Sequence, residues 1–230
     1  MFKKETYIQR RAQLKEKLGS GVYLFLGNEE LALNYADSNF RYRQDSTFLY
    51  YFGLSFAGLA AIIDVDEDKE IIFGDELTID HIVWMGVQPT LKEKSERVGI
   101  SLNKPMNELG VYLNKAKNQG RQINYLPPYR PEHQLKLMDL LGILPKYQQA
   151  SYKFMAAIAD QRNHKTAEEL AEIDKACDMT ADMHNKAMEI LRPGMKEYEV
   201  VAAMEAMAFG RGGVVGFLAP NLDEIFPFTG

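Results

Sequence analysis

Two short apolar runs, residues 59–65 and 70–73, are separated only by the polar residues Asp66, Glu67, Asp68 and Lys69. Strands joined by so short a link pair antiparallel, because a parallel return needs a crossover of about a dozen residues or more. A β-hairpin is therefore expected early in the chain, and the rest of the fold has to be built around it. Val22, Tyr23, Leu24, Phe25 and Leu26 follow Gly19 and Gly21 and read as a buried strand. The aromatic residues 46–52 read as another strand. Residues 6–18 place Ile8, Ala12, Leu14 and Leu18 among charged side chains, the spacing of a surface helix with one buried stripe. Beyond the hairpin, residues 89–98, 105–116 and 132–141 carry helical spacing and residues 122–126 read as a strand. An early hairpin followed by alternating strands and helices predicts an α/β fold with a mixed sheet flanked by helices, not a sandwich or a bundle. No stretch repeats with the period of a solenoid or propeller.

The first domain is expected over residues 1–160 and a second region over 161–230. Thr166 and Glu169 have the spacing of a capping box, which starts a long helix. Its predicted buried stripe is Leu170, Ile173, Cys177, Ala181, His184, Met188 and Leu191, and Arg192, Pro193 and Gly194 end it. Residues 196–207 predict a second helix with Val200, Val201, Met204 and Met207 on one face. Two consecutive helices after an α/β region mark a change of domain.

The net charge of -5 and the pI near 5.5 give no basic surface for nucleic acid. The longest apolar runs fall far short of the roughly 20 residues that span a bilayer, and residues 1–18 lack the apolar stretch of a signal peptide. Cys177 is the single cysteine, so no intrachain disulfide forms and a cytoplasmic address is expected. Asp64, Asp66 and Asp68 alternate like the opening of a calcium loop, but Lys69 stands where that loop needs glycine, and a solvated turn is the better reading. Gly210, Gly212, Gly213 and Gly216 follow a helix and miss the spacing of a dinucleotide fingerprint. His81, His133, His164 and His184 form no zinc-type pair, and core packing is expected for His184 and Cys177. No G-x-S-x-G elbow is present.

Residues 40–53, Phe-Arg-Tyr-Arg-Gln-Asp-Ser-Thr-Phe-Leu-Tyr-Tyr-Phe-Gly, closely resemble the signature of the N-terminal domain of aminopeptidase P, the Xaa-Pro aminopeptidases. The arginines of this loop are expected to be partly buried, paired with Asp37 or Asp45. Further segments match in family order: the opening helix with Arg10 and Arg11, residues 75–86 with Trp84, residues 161–169, and residues 192–199. The last two recur in creatinase and proline dipeptidase relatives. The resemblance is expected to run to about residue 209, with residues 213–230 matching no family motif.

The resemblance implies a six-stranded mixed sheet followed by the helical start of a truncated "pita-bread" catalytic domain. The family's complete enzymes release an N-terminal residue preceding proline, using two Mn²⁺ held by two Asp, one His and two Glu. None of those ligands is found here. Asp223 and Glu224 are adjacent, too close to converge without other partners. No metal, cofactor or catalytic residue is therefore expected in this chain, and inactivity alone follows. By the same resemblance Asp37, Trp84 and Arg162 line the substrate pocket: Trp84 as a stacking wall for the prolyl ring, Asp37 and Arg162 for charge recognition. A core or interface role for Trp84 and a plain ion pair for the other two stay open. The implied partners are further copies of the chain through its N-terminal domain and proline-containing peptides, with no nucleic acid and no membrane. Two alternatives remain: a non-enzymatic assembly or regulatory module, and a creatinase- or prolidase-like hydrolase fragment.

Overall fold

In the computed structural model, residues 2–35 and 38–213 are described, and the chain divides into one unit ending at His164 and another beginning at Lys165. The first unit runs α1 (Lys4–Leu18), β1 (Val22–Leu26), α2 (Ser46–Phe52), β2 (Ala60–Asp64), β3 (Lys69–Phe73), α3 (Ile79–Met85), α4 (Leu91–Arg97), β4 (Leu102–Lys104), α5 (Glu108–Asn118), β5 (Ile123–Tyr125), α6 (Pro131–Leu141) and α7 (Tyr152–Asn163). The strands form one sheet in the order β4-β3-β2-β1-β5. The expected hairpin is β2 and β3, in antiparallel register from Ala60 opposite Phe73 to Asp64 opposite Lys69. β1 is antiparallel to β2, while β5 adds parallel to β1 and β4 parallel to β3. Only β2 therefore runs against the other four.

Alternation along the strands splits the core in two. Tyr23, Phe25, Ala61, Ile63 and Ile72 face Leu14 and Leu18 of α1, Phe48 and Phe52 of α2 and Phe154 of α7. Val22, Leu24, Ala60, Ile62, Ile71 and Phe73 face Leu109 and Leu113 of α5 and Leu137 of α6. β1 and β2 read as continuous apolar runs because both of their faces are covered.

Residues 46–52 form a helix, not the expected strand. Asp45 accepts hydrogen bonds from the Thr47 and Phe48 amides at 2.9 and 2.8 Å, a strong N-cap. Gly53 closes the helix in the left-handed conformation, φ 62°, with its amide donating to Leu49 O. Phe48, Tyr51 and Phe52 then share one buried face, and that burial outweighs the strand preference of aromatic residues. The sheet has five strands, not six. Of these, β4 was not expected: it is only three residues long and half exposed, too short to leave a pattern.

On α1 the buried face is Tyr7, Arg10, Arg11, Leu14 and Leu18, not the stripe through Ile8 and Ala12, both of which are exposed. Arg11 is fully buried, and its charge is met by protein groups.

The hairpin carboxylates serve structure. Asp64, fully buried, accepts from Tyr112 Oη at 2.5 Å and from Arg121, which also binds Asp66 and Glu67. Burial pushes the Asp64 pKa up, but hydrogen bonds from Arg121 and Tyr112 outweigh it and hold it below the usual carboxylate value. A depressed folded-state pKa contributes stability above the unfolded value of about 3.9, and that stability is lost as pH falls through the folded value. Urea unfolding between pH 7 and pH 2 should therefore show an acid-side loss below about pH 4. Asp64→Asn should be less stable at pH 7 and should flatten that limb; an unchanged limb would refute the assignment.

The second unit contains α8 (Ala167–Ile190) and α9 (Glu197–Gly210). The predicted capping box is formed: Glu169 N donates to Thr166 Oγ1, and Thr166 N donates to Glu169 Oε2 at 2.9 Å. The predicted stripe is not the buried one. Leu170, Ile173, Cys177, Ala181, His184, Met188 and Leu191 are exposed, so the core positions expected for Cys177 and His184 are corrected. The seam is Met179, Met183 and Ala187 against Val200, Met204 and Ala208. Within its unit α8 packs on α9, and a two-helix contact buries only a narrow line of each partner.

Candidate functional site

β1 and β5 are parallel neighbours, so their carboxyl ends lie side by side, the place where sheets of this class build their crevices. The loop after β1 leads into α2 and contains residues 40–45; the loop after β5 contains Pro127, Pro128, Tyr129 and Arg130. Gln44 ties the first loop down. It is 1% exposed; its Oε1 accepts from the amides of Asn28 at 2.7 Å and Asp45 at 2.9 Å, and its Nε2 donates to Phe56 O at 2.8 Å. Tyr42 Oη donates to Phe56 O at 2.8 Å. The buried Asn28 donates from Nδ2 to Arg43 O at 2.8 Å. Beneath them the chain runs close to β2: a Cβ on Gly27 would lie 2.6 Å from Leu59 O.

The second loop is docked by Tyr129, whose hydroxyl is 3.1 Å from Asp45 Oδ2, and by His133, whose Nε2 is 3.1 Å from Gly27 O. Burial lowers the His133 pKa, although the Gly27 carbonyl and Asp45 oppose the shift. Together the loops wall an open cleft of about 550 Å³ lined by Phe40, Arg41, Arg43, Tyr42, Tyr129 and Arg130, among others. Arg41 and Arg43 are exposed, so the partial burial expected for them is corrected; the loop is fixed by Gln44 and Asp45 instead. Replacing Gln44 with methionine strands the buried Asn28 amide and the half-buried Asp45 amide, at about 1–3 kcal/mol for each unsatisfied buried group. A loss of about 2–4 kcal/mol in urea unfolding is expected; a loss under 1 kcal/mol would show that the network is dispensable.

Of the residues expected in the pocket, Asp37 lies outside the described residues. Arg162, at the end of α7, comes to the motif: its guanidinium donates to Thr47 Oγ1 at 3.3 Å and lies 5.5 Å from the Tyr50 ring centre. Trp84 stands on α3 and is 88% exposed, beside the exposed Ile79, Val83 and Val87. The expectation missed Asn28, Tyr129, Arg130 and His133. For the last three the local signal is proline: Pro127 and Pro128 leave β5, and Pro131 opens α6 at a position where proline is favoured.

The family model for the aminopeptidase P N-terminal domain matches residues 7–124, just over half of the chain. The chain belongs to that family. Beyond the aminopeptidase P domain, the model for metallopeptidase family M24 matches residues 171–227. This overturns the expectation that the resemblance stops near residue 209: a family model reads preferences spread over a stretch that carries no contiguous motif. The chain is 23% identical over 208 residues to a human Xaa-Pro dipeptidase, covering 84% of this chain and 39% of that protein. It is 25% identical over 214 residues to an Xaa-Pro aminopeptidase of Escherichia coli, covering 86% and 47%. It thus spans less than half the length of these relatives. Its fold is that of proline aminopeptidase P II from Yersinia pestis, with a TM-score of 0.77 at 23% identity over 92% of this chain and 51% of the other. Aminopeptidase PepP of Pseudomonas aeruginosa matches with a TM-score of 0.75 at 22% identity over 92% and 50%.

Family M24 implies a divalent metal in the full enzyme. Among the described residues no three His, Cys, Asp or Glu side chains come together to hold one, and no chemical step is routed through a metal here. Nor is any helix among them long and apolar enough to cross a membrane.

Proposed function

We propose that this chain is the N-terminal, substrate-pocket-shaping part of an Xaa-Pro aminopeptidase, a cytoplasmic enzyme that in complete form releases an N-terminal residue ahead of proline with two Mn²⁺ ions. The carrying observation is the order of the matches, an aminopeptidase P N-terminal domain followed by an M24 segment. The domain boundary lies near residue 160 on this reading. On this reading residues 1–230 alone are inactive. Asp37, Trp84 and Arg162 wall the peptide pocket.

The chain associates with further copies through its first domain. Support comes from α3 and the turn after it, where Ile79, Val83, Trp84 and Val87 are more than 70% exposed. Apolar and aromatic surface of this kind is characteristic of protein contacts. Trp84 is the single tryptophan, so selectively excited tryptophan fluorescence reports on this face. Raising the concentration should increase the mass by light scattering and shift the emission to the blue together. A monomer at all concentrations with unshifted emission would overturn the assembly role.

A further inference from the structure

We propose that the cleft at the carboxyl ends of β1 and β5 binds the C-terminal end of a short peptide, with Arg43 and Arg130 taking its carboxylate. Neither Trp84 nor Arg162 is among the described residues that line it. At about 550 Å³ it lies within the ~300–1,000 Å³ of small-ligand sites.

Two features of the cleft select the ligand. The first is its cations. Arg43 is exposed on the wall, and Arg130, a largely buried side chain on the second loop, lies near Tyr42, Tyr129 and His133 and 3.9 Å from the Glu132 carboxylate. The acids close by are engaged elsewhere: Glu29 by Lys136 at 2.6 Å, Glu30 by Asn39 at 3.0 Å, and Asp45 by the amides of α2 and the Tyr129 hydroxyl. The guanidinium fork matches a carboxylate in two parallel hydrogen bonds.

The second feature is an acceptor in the wall that is held by a long hydrogen bond. Asn28 is 4% exposed and lines the cleft. The donor closest to its Oδ1 is the Tyr129 hydroxyl at 3.5 Å. That hydroxyl has one proton and a nearer acceptor, Asp45 Oδ2 at 3.1 Å. When the proton goes to Asp45, Asn28 Oδ1 has room for an N–H from a ligand. A carboxylate with an N–H beside it is the end of a peptide; inorganic phosphate or a phosphate ester supplies the anion without the donor. The exposed rings of Phe40 and Tyr129 offer apolar contact for the terminal side chain.

The test is calorimetric titration of the 230-residue chain with an alanyl tripeptide as the free acid, the same tripeptide as its C-terminal amide, and inorganic phosphate. The free acid should bind saturably at millimolar concentration or below, and the amide at least 10-fold more weakly. Phosphate should compete at least 10-fold less well than the free acid. Arg43→Gln and Arg130→Gln should each weaken the free acid at least 5-fold, with unchanged circular dichroism and melting temperature. Equal binding of acid and amide, equal binding of phosphate, unaltered affinity in both variants or no saturable binding by 10-fold above the expected range would each overturn the assignment. Because the readout is binding, it is independent of whether the chain hydrolyses any peptide.

Discussion

Replacing Arg11 with methionine should destabilise the first unit by about 3–5 kcal/mol, the cost of breaking a buried ion pair from one side. Arg11 is fully buried. Its Nε donates to Glu70 Oε2 at 2.7 Å, Nη1 to Tyr51 O at 2.9 Å and Nη2 to Val98 O at 2.8 Å. Tyr51 is in the last turn of α2 and Val98 is the C-cap of α4, so one guanidinium satisfies the open carbonyl ends of two helices and binds strand β3. Burial lowers its pKa and Glu70 opposes the shift. Methionine keeps the volume of the stem but abandons two carbonyls and leaves the Glu70 carboxylate with Lys15, at 3.0 Å, as its remaining cation. Arg11→Lys retains the charge without the planar fork and should fall between wild type and Arg11→Met. Urea unfolding reads all three. Adding Glu70→Gln to Arg11→Met should cost less than the two changes separately; full additivity would show that Glu70 and Arg11 do not act as a pair.

The second large effect is expected at Gly53. Its φ of 62° costs a residue with a side chain about 1–2 kcal/mol. A Cβ there would lie 2.3 Å from Tyr7 Cζ and 2.5 Å from Tyr7 Oη. Tyr7 is 2% exposed, so its ring has no free space to enter. Gly53→Ala should cost about 3 kcal/mol or more once the overpacking is added to the backbone strain. Combining it with Tyr7→Leu should recover part of the loss, because the overlapping ring atoms are gone. A double variant as unstable as the sum of the singles would place the strain in the backbone alone.

These two residues also mark what sequence reasoning reached. Arg11 and Gly53 were visible as parts of family-like segments, yet neither role was. Charged residues on α1 read as solvated, because periodicity ranks residues by polarity and has no sight of the carbonyls that make a buried guanidinium favourable. The run Phe48, Leu49, Tyr50, Tyr51 and Phe52 looked like a strand because aromatic residues favour strands; the Asp45 cap and the Gly53 terminus were in the same sequence and carried the opposite signal. The hairpin was legible because its turn is short enough to leave one pairing. The start of α8 was legible because its capping box is a local device. Its buried face was not, since which line of a helix is covered depends on the neighbour. The cleft lay beyond reach for the same reason: Asn28 and Arg43 come from the loop after β1 and Tyr129 from the loop after β5, and only the parallel pairing of β1 with β5 brings the two loops together.

The central claim is that residues 1–230 carry the scaffold and a pocket wall of an Xaa-Pro aminopeptidase but not its chemistry. The direct measurement is hydrolysis of an Xaa-Pro-Xaa tripeptide by the purified chain with Mn²⁺, beside a full-length relative as positive control. The account predicts turnover by the relative and none by the chain above the metal-only blank. Mn²⁺-dependent release of the N-terminal residue by the chain itself would contradict it.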